Sequence, residues 1–152
     1  MNILITNGRV VDPASGTDKP TDIAIADGKI AGIGRAPAGF KPERTLDATG
    51  CIVTPGLVDL AARLREPGYE HEGMLESEMA AAIAGGVTSL VCPPDTDPVL
   101  DEPGLVEMLK FRAEKLQCAR LFPLGALTRN LAGGVLTEMA ELTEAGCIGF
   151  GQ

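Results

Sequence analysis

Short runs of alternating apolar and polar residues in the N-terminal third of the chain predict β-strands. Two pairs of runs flank turn dipeptides: residues 3–6 and 9–11 around Asn7-Gly8, and residues 22–26 and 29–33 around Asp27-Gly28. Because Asn-Gly and Asp-Gly adopt the positive φ angles of two-residue turns at low steric cost, we expect two β-hairpins. Further strands near Leu46 and at residues 51–53 complete a small β-sandwich subdomain, which we assign to residues 1–53.

From residue 54 onward, the pattern changes to alternating strands and helices. Apolar spacing predicts helices at residues 72–84, at 105–116 with Asp101 as cap, and at 136–145; strands are predicted at 57–60, 87–92, 119–126 and 147–150. The last three strands recur about every 30 residues, the length of a βαβ unit. The rhythm therefore favours a parallel α/β sheet.

Two parallel architectures fit this rhythm, an open doubly wound sheet and part of a (β/α)8 barrel. No GxGxxG or Walker A sequence stands at a strand-to-helix turn, which disfavours a nucleotide-binding open sheet. A complete barrel takes about 250 residues. We therefore expect an α/β chain in which the β subdomain precedes the first half of a TIM-type barrel, residues 54–152, with the barrel incomplete.

Composition excludes several classes of function. The chain has 13 Lys and Arg against 21 Asp and Glu, a net charge of −8, and only 3% aromatic residues. We expect no nucleic-acid partner, because phosphate neutralisation needs clustered cations and base stacking needs aromatic rings. The single histidine, His71, is expected to be exposed and not a metal ligand. The acidic residues from Glu66 to Glu78 are expected to be solvated.

The cysteines and the lengths of the apolar runs bear on compartment. Cys51, Cys92, Cys118 and Cys147 form no CxxC pair, so a zinc ribbon is excluded, and we expect four small buried hydrophobes in a reduced, cytoplasmic protein. No run approaches the roughly 18 apolar residues of a membrane span. We therefore expect no membrane association.

Two motifs carry a family resemblance. Residues 53–60, VTPGLVDL, and residues 64–71, LREPGYEH, resemble the first barrel strand of the dihydroorotases, members of the amidohydrolase superfamily. The resemblance continues through residues 81–98, which include GGVT and CPPDTDP, and residues 27–30 match the family's β subdomain. Allantoinases and hydantoinases share the PGLVD type of entry, whereas LREPG points more narrowly to dihydroorotases.

The resemblance implies a zinc site that this sequence has lost. Active members end the first strand with two histidines separated by one residue, and here those positions are Ala61 and Arg63. A methyl group has no lone pair, and a guanidinium is a charged donor without an acceptor. We therefore expect no bound zinc, with Arg63 filling the space of the metal and pairing with a nearby acid such as Asp59.

The substrate contacts implied by the family are also altered. Arg65 is retained where the family grips the substrate carboxylate, but Asp95 replaces an asparagine and would repel an anionic substrate. These two residues are expected to be a vestigial substrate site, although turn formation by Asp95 and Asp97 explains that loop without a function. At the fourth strand, where the family carries aspartates, Phe150 is followed by Gly151-Gln152. No catalytic residue is assigned.

Three functions follow from this resemblance. The first is a non-catalytic dihydroorotase-like protein of de novo pyrimidine biosynthesis, a structural partner of aspartate carbamoyltransferase within a larger oligomeric complex. The second is an active zinc-dependent dihydroorotase that interconverts dihydroorotate and N-carbamoyl-L-aspartate with ligands from a second half. The third is a ligand sensor that keeps Arg65 as a carboxylate clamp.

Overall fold

The computed structural model describes all residues, Met1–Gln152, and the chain divides into two compact units, Met1–Pro55 and Gly56–Gln152. The first unit contains only strands and turns, whereas the second alternates strands and helices, so the predicted α/β class is confirmed. The assignment of residues 1–53 to a subdomain and 54–152 to part of a barrel stays a prediction. None of the helices has both the length and the apolar character needed to cross a membrane.

Two sheets build the first unit. Its strands are β1 (Ile3–Thr6), β2 (Arg9–Asp12), β3 (Thr17–Pro20), β4 (Ile23–Ala26), β5 (Lys29–Ile33), β6 (Arg44–Asp47) and β7 (Ile52–Val53). One sheet has the order β5-β4-β1-β6 and the other the order β3-β2-β7. Val10, Ile23 and Ala24 are its buried apolar residues. Strand β3 was not predicted, because its polar residues carry no apolar alternation.

Only one of the two predicted hairpins forms. Strands β4 and β5 pair antiparallel around Asp27-Gly28, as predicted. The prediction of a hairpin around Asn7-Gly8 is wrong, because β1 and β2 belong to different sheets. A type I′ turn needs positive φ at both central residues, and here only Asn7 has it, with φ 63°. Gly8 instead admits close neighbours: a Cβ there would lie 2.6 Å from Val53 and 3.0 Å from Ala48.

Parallel strands and three α-helices build the second unit. In chain order these elements are β8 (Leu57–Asp59), α1 (Leu75–Ala84), β9 (Val87–Cys92), α2 (Pro103–Leu116), β10 (Arg120–Pro123), β11 (Gly125–Ala126), α3 (Met139–Ala145) and β12 (Phe150–Gly151). A 3₁₀ turn spans Arg129–Leu131. The strands pair in parallel as β8-β9-β10 and β11-β12. A shared core of Leu64, Leu75, Met79, Leu90, Val106 and Leu109, with further buried residues, joins helices to strands.

Helix starts are the main error in the predicted elements. Helix α1 begins at Leu75, three residues later than predicted, because Ser77 bonds back to the Met74 backbone at the helix entrance. Helix α2 begins earlier, at Pro103, a residue suited to a first turn. Asp101 does not cap it; its carboxylate accepts a hydrogen bond from Asn130 N at 2.8 Å.

The later elements are also shorter than predicted. The strand expected at residues 119–126 is interrupted at Leu124, whose N–H donates to Cys92 O at 2.8 Å. Helix α3 begins only at Met139, because Thr137 is held outside it by a 2.6 Å hydrogen bond from its hydroxyl to Ala126 O. Strand β12 begins at Phe150 instead of residue 147.

The cysteines fall into two classes, so the expectation of four buried thiols is wrong. Cys92 and Cys147 are buried, while Cys51 and Cys118 are exposed, and all four are free. Cys51 and Cys118 lie outside the helices and strands, in turns next to apolar runs, where their side chains remain accessible.

Candidate functional site

An ion pair connects the carboxyl ends of two adjacent parallel strands. Arg63 follows β8 and Asp95 follows β9, and Arg63 Nε lies 2.7 Å from Asp95 Oδ2. Because β8 and β9 pair in parallel, residues beyond their carboxyl ends meet at one edge of the sheet. The sheet therefore brings together Arg63, which is predicted to replace a metal ligand, and Asp95, which is predicted to replace a substrate contact.

The prediction that Arg63 pairs with Asp59 is wrong. Asp59 Oδ1 accepts a hydrogen bond from Ala61 N at 2.9 Å and so caps its own strand end. The acid that pairs with Arg63 comes from the neighbouring strand, 32 positions along the chain. Sequence spacing favours a local acid, whereas the register of a parallel sheet brings in a distant one.

The surroundings of Arg63 and Cys92 at this edge favour one charge state of each side chain. The hydrogen bond from Arg63 to Asp95, followed by their charge attraction, raises the pKa of the Arg63 guanidinium, so it stays protonated. Burial raises the pKa of the nearby Cys92 thiol to about 11. Because a thiolate is the form of cysteine that attacks electrophiles or binds metal, the neutral Cys92 thiol supplies neither function near pH 7.

Arg65 lies beside this pair but is engaged elsewhere. Its Nε lies 3.1 Å from Glu72 Oε2, so the guanidinium expected to grip a substrate carboxylate faces a carboxylate of its own chain. The backbone of Arg65 has φ 64°, a left-handed conformation that is strained for a residue with a side chain. A hydrogen bond from Tyr69 N to Arg65 O, at 2.8 Å, closes the turn that holds it.

Glu66 fixes the loop that carries these arginines, and sequence reasoning missed it. The expectation of a solvated acid is wrong, since the residue is 2% exposed. Its carboxylate accepts a hydrogen bond from Leu75 N, at the start of α1, at 2.9 Å and forms an ion pair with Arg112 of α2. The sequence gives one signal only: Glu66 precedes a proline in the LREPG motif, apart from the helix that follows.

The predicted site residues border two cavities of different size. Arg63, Arg65, Tyr69 and Asp95 border a cavity of about 10 Å³, which is at the lower limit for one water molecule. The other, of about 300 Å³, is bordered by Asp59, Ala61 and Arg63, so open space lies beside the positions predicted to replace the metal ligands. A third cavity, the largest of these at about 420 Å³, is lined by residues of α2, β10 and the turn between them, together with Gly146 after α3, and includes none of the predicted site residues.

The donors at this edge do not fit a zinc ion. Ala61 and Arg63 offer no lone pair, and the guanidinium is a cation. No group of three His, Cys, Asp or Glu side chains lies close enough together to hold a metal ion. His71, as predicted, is exposed, and its Nε2 lies 3.9 Å from Glu72 Oε1.

The side-chain amide of Gln152, the residue after β12, is hydrogen-bonded within the chain. Gln152 Oε1 accepts a hydrogen bond from the Thr128 hydroxyl at 2.8 Å, and Gln152 Nε2 donates to Leu131 O at 2.9 Å. These bonds hold the residue after β12 against the segment that follows β11. They satisfy both ends of the Gln152 amide group within the chain.

A family model described as dihydro-orotase-like matches residues 50–152, which include β8 through β12 and the whole Arg63–Asp95 site. The chain belongs to the dihydroorotase family. This family lies within the amidohydrolase superfamily, as the sequence motifs indicate. The Arg63–Asp95 pair lies where the sequence resemblance predicts metal and substrate contacts.

Relatives of this dihydroorotase-family chain are longer than the chain itself. A dihydroorotase-like protein of Pseudomonas putida is 49% identical over 151 residues, covering 99% of this chain and 36% of the relative. A dihydroorotase of Pelobacter propionicus is 45% identical over 151 residues, covering 97% of this chain and 35% of the relative. The chain thus spans about a third of the length of the curated relatives it matches.

A solved structure also resembles this dihydroorotase-family chain. An L-hydantoinase (dihydropyrimidinase) from Arthrobacter aurescens superposes with a TM-score of 0.81 at 27% sequence identity, covering 97% of this chain and 32% of that one. The fold is therefore similar to that of the corresponding part of this hydantoinase.

Proposed function

We propose that this chain is part of a non-catalytic dihydroorotase-like protein of de novo pyrimidine biosynthesis, a cytoplasmic structural partner of aspartate carbamoyltransferase in a larger complex. The Arg63–Asp95 ion pair is the single observation that carries this proposal. It neutralises, within the chain, the position at which the family resemblance implies a metal and an anionic substrate.

Three features of the site support loss of catalysis. The metal-ligand positions hold Ala61 and Arg63, the retained Arg65 is paired with Glu72, and the cavity bordered by Arg63, Arg65 and Asp95 is about 10 Å³. An anionic substrate would have to displace a carboxylate from each of two arginines and would then meet both carboxylates as like charges. In this proposal the vestigial substrate residues Arg65 and Asp95 pair with charges of their own chain and bind no substrate.

The architecture proposed for the whole protein is a β subdomain followed by a (β/α)8 barrel, of which residues 54–152 supply the first half. Strand β8 pairs with β9 alone, and Leu57 and Val58 of this strand are exposed, as is Leu60 just after it. Exposed apolar residues on an unpaired parallel edge are a liability in solution. Further barrel strands of a longer polypeptide would cover them.

The carbamoyltransferase partner is inferred from the resemblance to dihydroorotase-like proteins that assemble with this enzyme. A large particle is expected when the tagged full-length protein and the transferase are mixed at micromolar concentration and passed through gel filtration. Clean separation of the two proteins would refute the structural role.

Metal content and turnover of the full-length protein test the loss of catalysis. We expect substoichiometric zinc by elemental analysis and no ring opening of dihydroorotate. The double variant Ala61→His/Arg63→His is expected to gain zinc, whereas Ala61→His alone, which keeps the Arg63–Asp95 pair, is the matched control and gains none. Stoichiometric zinc with turnover in the unaltered protein would overturn the proposal.

The alternative is an active zinc-dependent dihydroorotase that interconverts dihydroorotate and N-carbamoyl-L-aspartate. The observation in its favour is the 45% identity to a relative named dihydroorotase over 97% of this chain. In this case the zinc ligands would come from strands outside these residues, and Arg63 would lie beside the metal. The same zinc and turnover measurements separate the two functions.

A further inference from the structure

Asn7, which follows β1 where the chain crosses to the second sheet of the first unit, is held by two carboxylates. Its side-chain Nδ2 donates to Asp47 Oδ1 at 3.0 Å, and its backbone N–H donates to Asp22 Oδ1 at 3.2 Å. Asp47 is the last residue of β6 and Asp22 precedes β4, so both bonds tie the end of β1 to strands of its own sheet. The bond from Asn7 is also the largest reason why the pKa of the Asp47 carboxyl lies below its ordinary value.

The residue after Asn7 leaves this side-chain amide open to attack by the backbone. Gly8 has no side chain to shield its nitrogen, and its N–H is not hydrogen-bonded within the chain. The Asn7 side chain is exposed, so water reaches the amide and ammonia can leave it. The other asparagines, Asn2 and Asn130, each precede a residue with a branched side chain that crowds the corresponding nitrogen.

We propose that Asn7 is a site of spontaneous deamidation in the folded chain, and that its hydrogen bond to Asp47 restrains the rate. The Gly8 nitrogen loses its proton to solvent and bonds to Cγ of Asn7, the Cγ–Nδ2 bond breaks, and the amide nitrogen leaves as ammonia. One water molecule then opens the cyclic imide at either carbonyl, which gives aspartate or isoaspartate at position 7. The Asp47 carboxylate slows the first step, because a charge-assisted hydrogen bond holds the amide group in place.

Neither product keeps the contact between positions 7 and 47. An aspartate has no N–H to donate, so two carboxylates would face each other where the hydrogen bond of 3.0 Å now lies. An isoaspartate lengthens the main chain by one methylene next to Gly8, which is closely packed: a Cβ on Gly8 would lie 2.6 Å from Val53 and 3.0 Å from Ala48. Deamidation therefore loosens the end of β1 from β6, and the damaged fraction grows with the age of the protein.

Peptide mass spectrometry of the folded full-length protein, sampled during incubation at mildly alkaline pH, tests this site. Conversion at Asn7 should be about tenfold or more faster than at Asn2 or Asn130, because only Asn7 precedes a glycine. Asp47→Ala removes the restraining hydrogen bond and should speed conversion about fivefold. Asp12→Ala is the matched control and should leave the rate unchanged, since Asp12 also ends a strand and holds the turn after it but does not touch Asn7.

Exchange of the two side chains tests the consequence for stability. Asn7→Asp imitates the main-chain-preserving product and should lower the thermal unfolding midpoint, because it places two carboxylates in contact. The double variant Asn7→Asp/Asp47→Asn restores one donor and one acceptor and should recover the midpoint.

Circular dichroism checks that each variant is folded, and incubation in concentrated urea separates the restraint from any change in the unfolded chain. In urea the hydrogen bond to Asp47 is absent, so the unaltered protein and Asp47→Ala should convert at the same rate. If Asp47→Ala does not fold, Asp47→Asn, which keeps a side-chain oxygen for Thr49, takes its place and should speed conversion to a smaller extent. Asn7 as stable as Asn2 and Asn130, or a folded position-47 variant no faster than Asp12→Ala, would overturn the proposal, as would an Asn7→Asp midpoint equal to that of the unaltered protein. None of these readouts depends on zinc or ring opening.

Discussion

The carboxylate of Glu66 is buried between two helices and is ion-paired with Arg112 of α2 while it accepts a hydrogen bond from the first residue of α1. Removing one partner of a buried pair leaves the other desolvated and unpaired, which typically costs about 3–5 kcal/mol. Because Arg112 is itself partly exposed, we expect Glu66→Ala to lower the free energy of unfolding by about 3 kcal/mol. Urea denaturation of the full-length protein measures the change.

The control for this variant is Glu76→Ala, which alters an exposed carboxylate on α1 that forms no ion pair. Its effect should be within about 0.5 kcal/mol. Equal effects of the two substitutions would contradict the anchoring role of Glu66.

Asp95 is predicted to shield the guanidinium of Arg63 without contributing much to stability. Both side chains are substantially exposed, and exposed ion pairs are weak. In Asp95→Asn the thermal unfolding midpoint should therefore change little, while modification of Arg63 by phenylglyoxal, followed by mass spectrometry, should become faster. Asp97→Asn, two positions along the same loop, is the control and should leave the labelling rate of Arg63 unchanged.

Burial of Cys92 predicts a loss of stability at alkaline pH. Burial raises the pKa of its thiol from an ordinary value of 9.0 to about 11 in the folded chain. The folded state therefore retains this proton longer than the unfolded state, and the associated stability is present below pH 9 and is lost as the pH rises toward 11. Cys147, with a pKa also raised to about 11 by burial, adds to the same slope.

Denaturation curves collected from pH 8 to pH 11 should show the free energy of unfolding falling across this window. Cys92→Ala should have a shallower fall, whereas Cys118→Ala, which removes an exposed thiol, should keep the original slope. A slope that does not respond to Cys92→Ala would rule out the buried thiol as its origin.

Gly68 is predicted to be irreplaceable in the loop beside the site. Its φ is 99°, and a Cβ there would overlap the carbonyl oxygen of Asp97 and lie 2.5 Å from Asp97 Cβ. Gly68→Ala should therefore destabilise the protein by about 2 kcal/mol or more. Gly134→Ala, where a Cβ meets no atom within 4 Å, should change stability by less than about 1 kcal/mol. Thermal unfolding of the two variants provides the comparison.

Local sequence signals predict those elements that depend on local chemistry. Strand β9 runs from Val87 to Cys92 as predicted, because a continuous apolar run follows the Gly85-Gly86 helix stop. The Asp27-Gly28 hairpin also depends on local chemistry, because both residues adopt the positive φ angles of a two-residue turn. Asn7-Gly8 carries a similar signal but forms no hairpin, since Gly8 is required by the close approach of Val53 and not by a turn.

At the site, the contacts that could not be predicted from the sequence join residues that are far apart along the chain. Motif matching identifies Arg63 and Asp95 separately as departures from the family pattern, yet it suggests Asp59 as the acid that pairs with Arg63. The parallel register of β8 and β9 decides the pairing, and that register is a tertiary property. Glu66 is hidden for a similar reason, because its partner Arg112 is supplied by a helix far along the chain.

The anchoring of Glu66 also bears on how such a loop evolves. Once the packing of two helices depends on a loop residue, selection for a folded protein preserves the loop even where selection for turnover has ended. Arg65 has its left-handed backbone one position before Glu66. The shape of this loop is therefore expected to persist independently of any reaction beside it, and positions 66 and 112 are expected to change together or not at all.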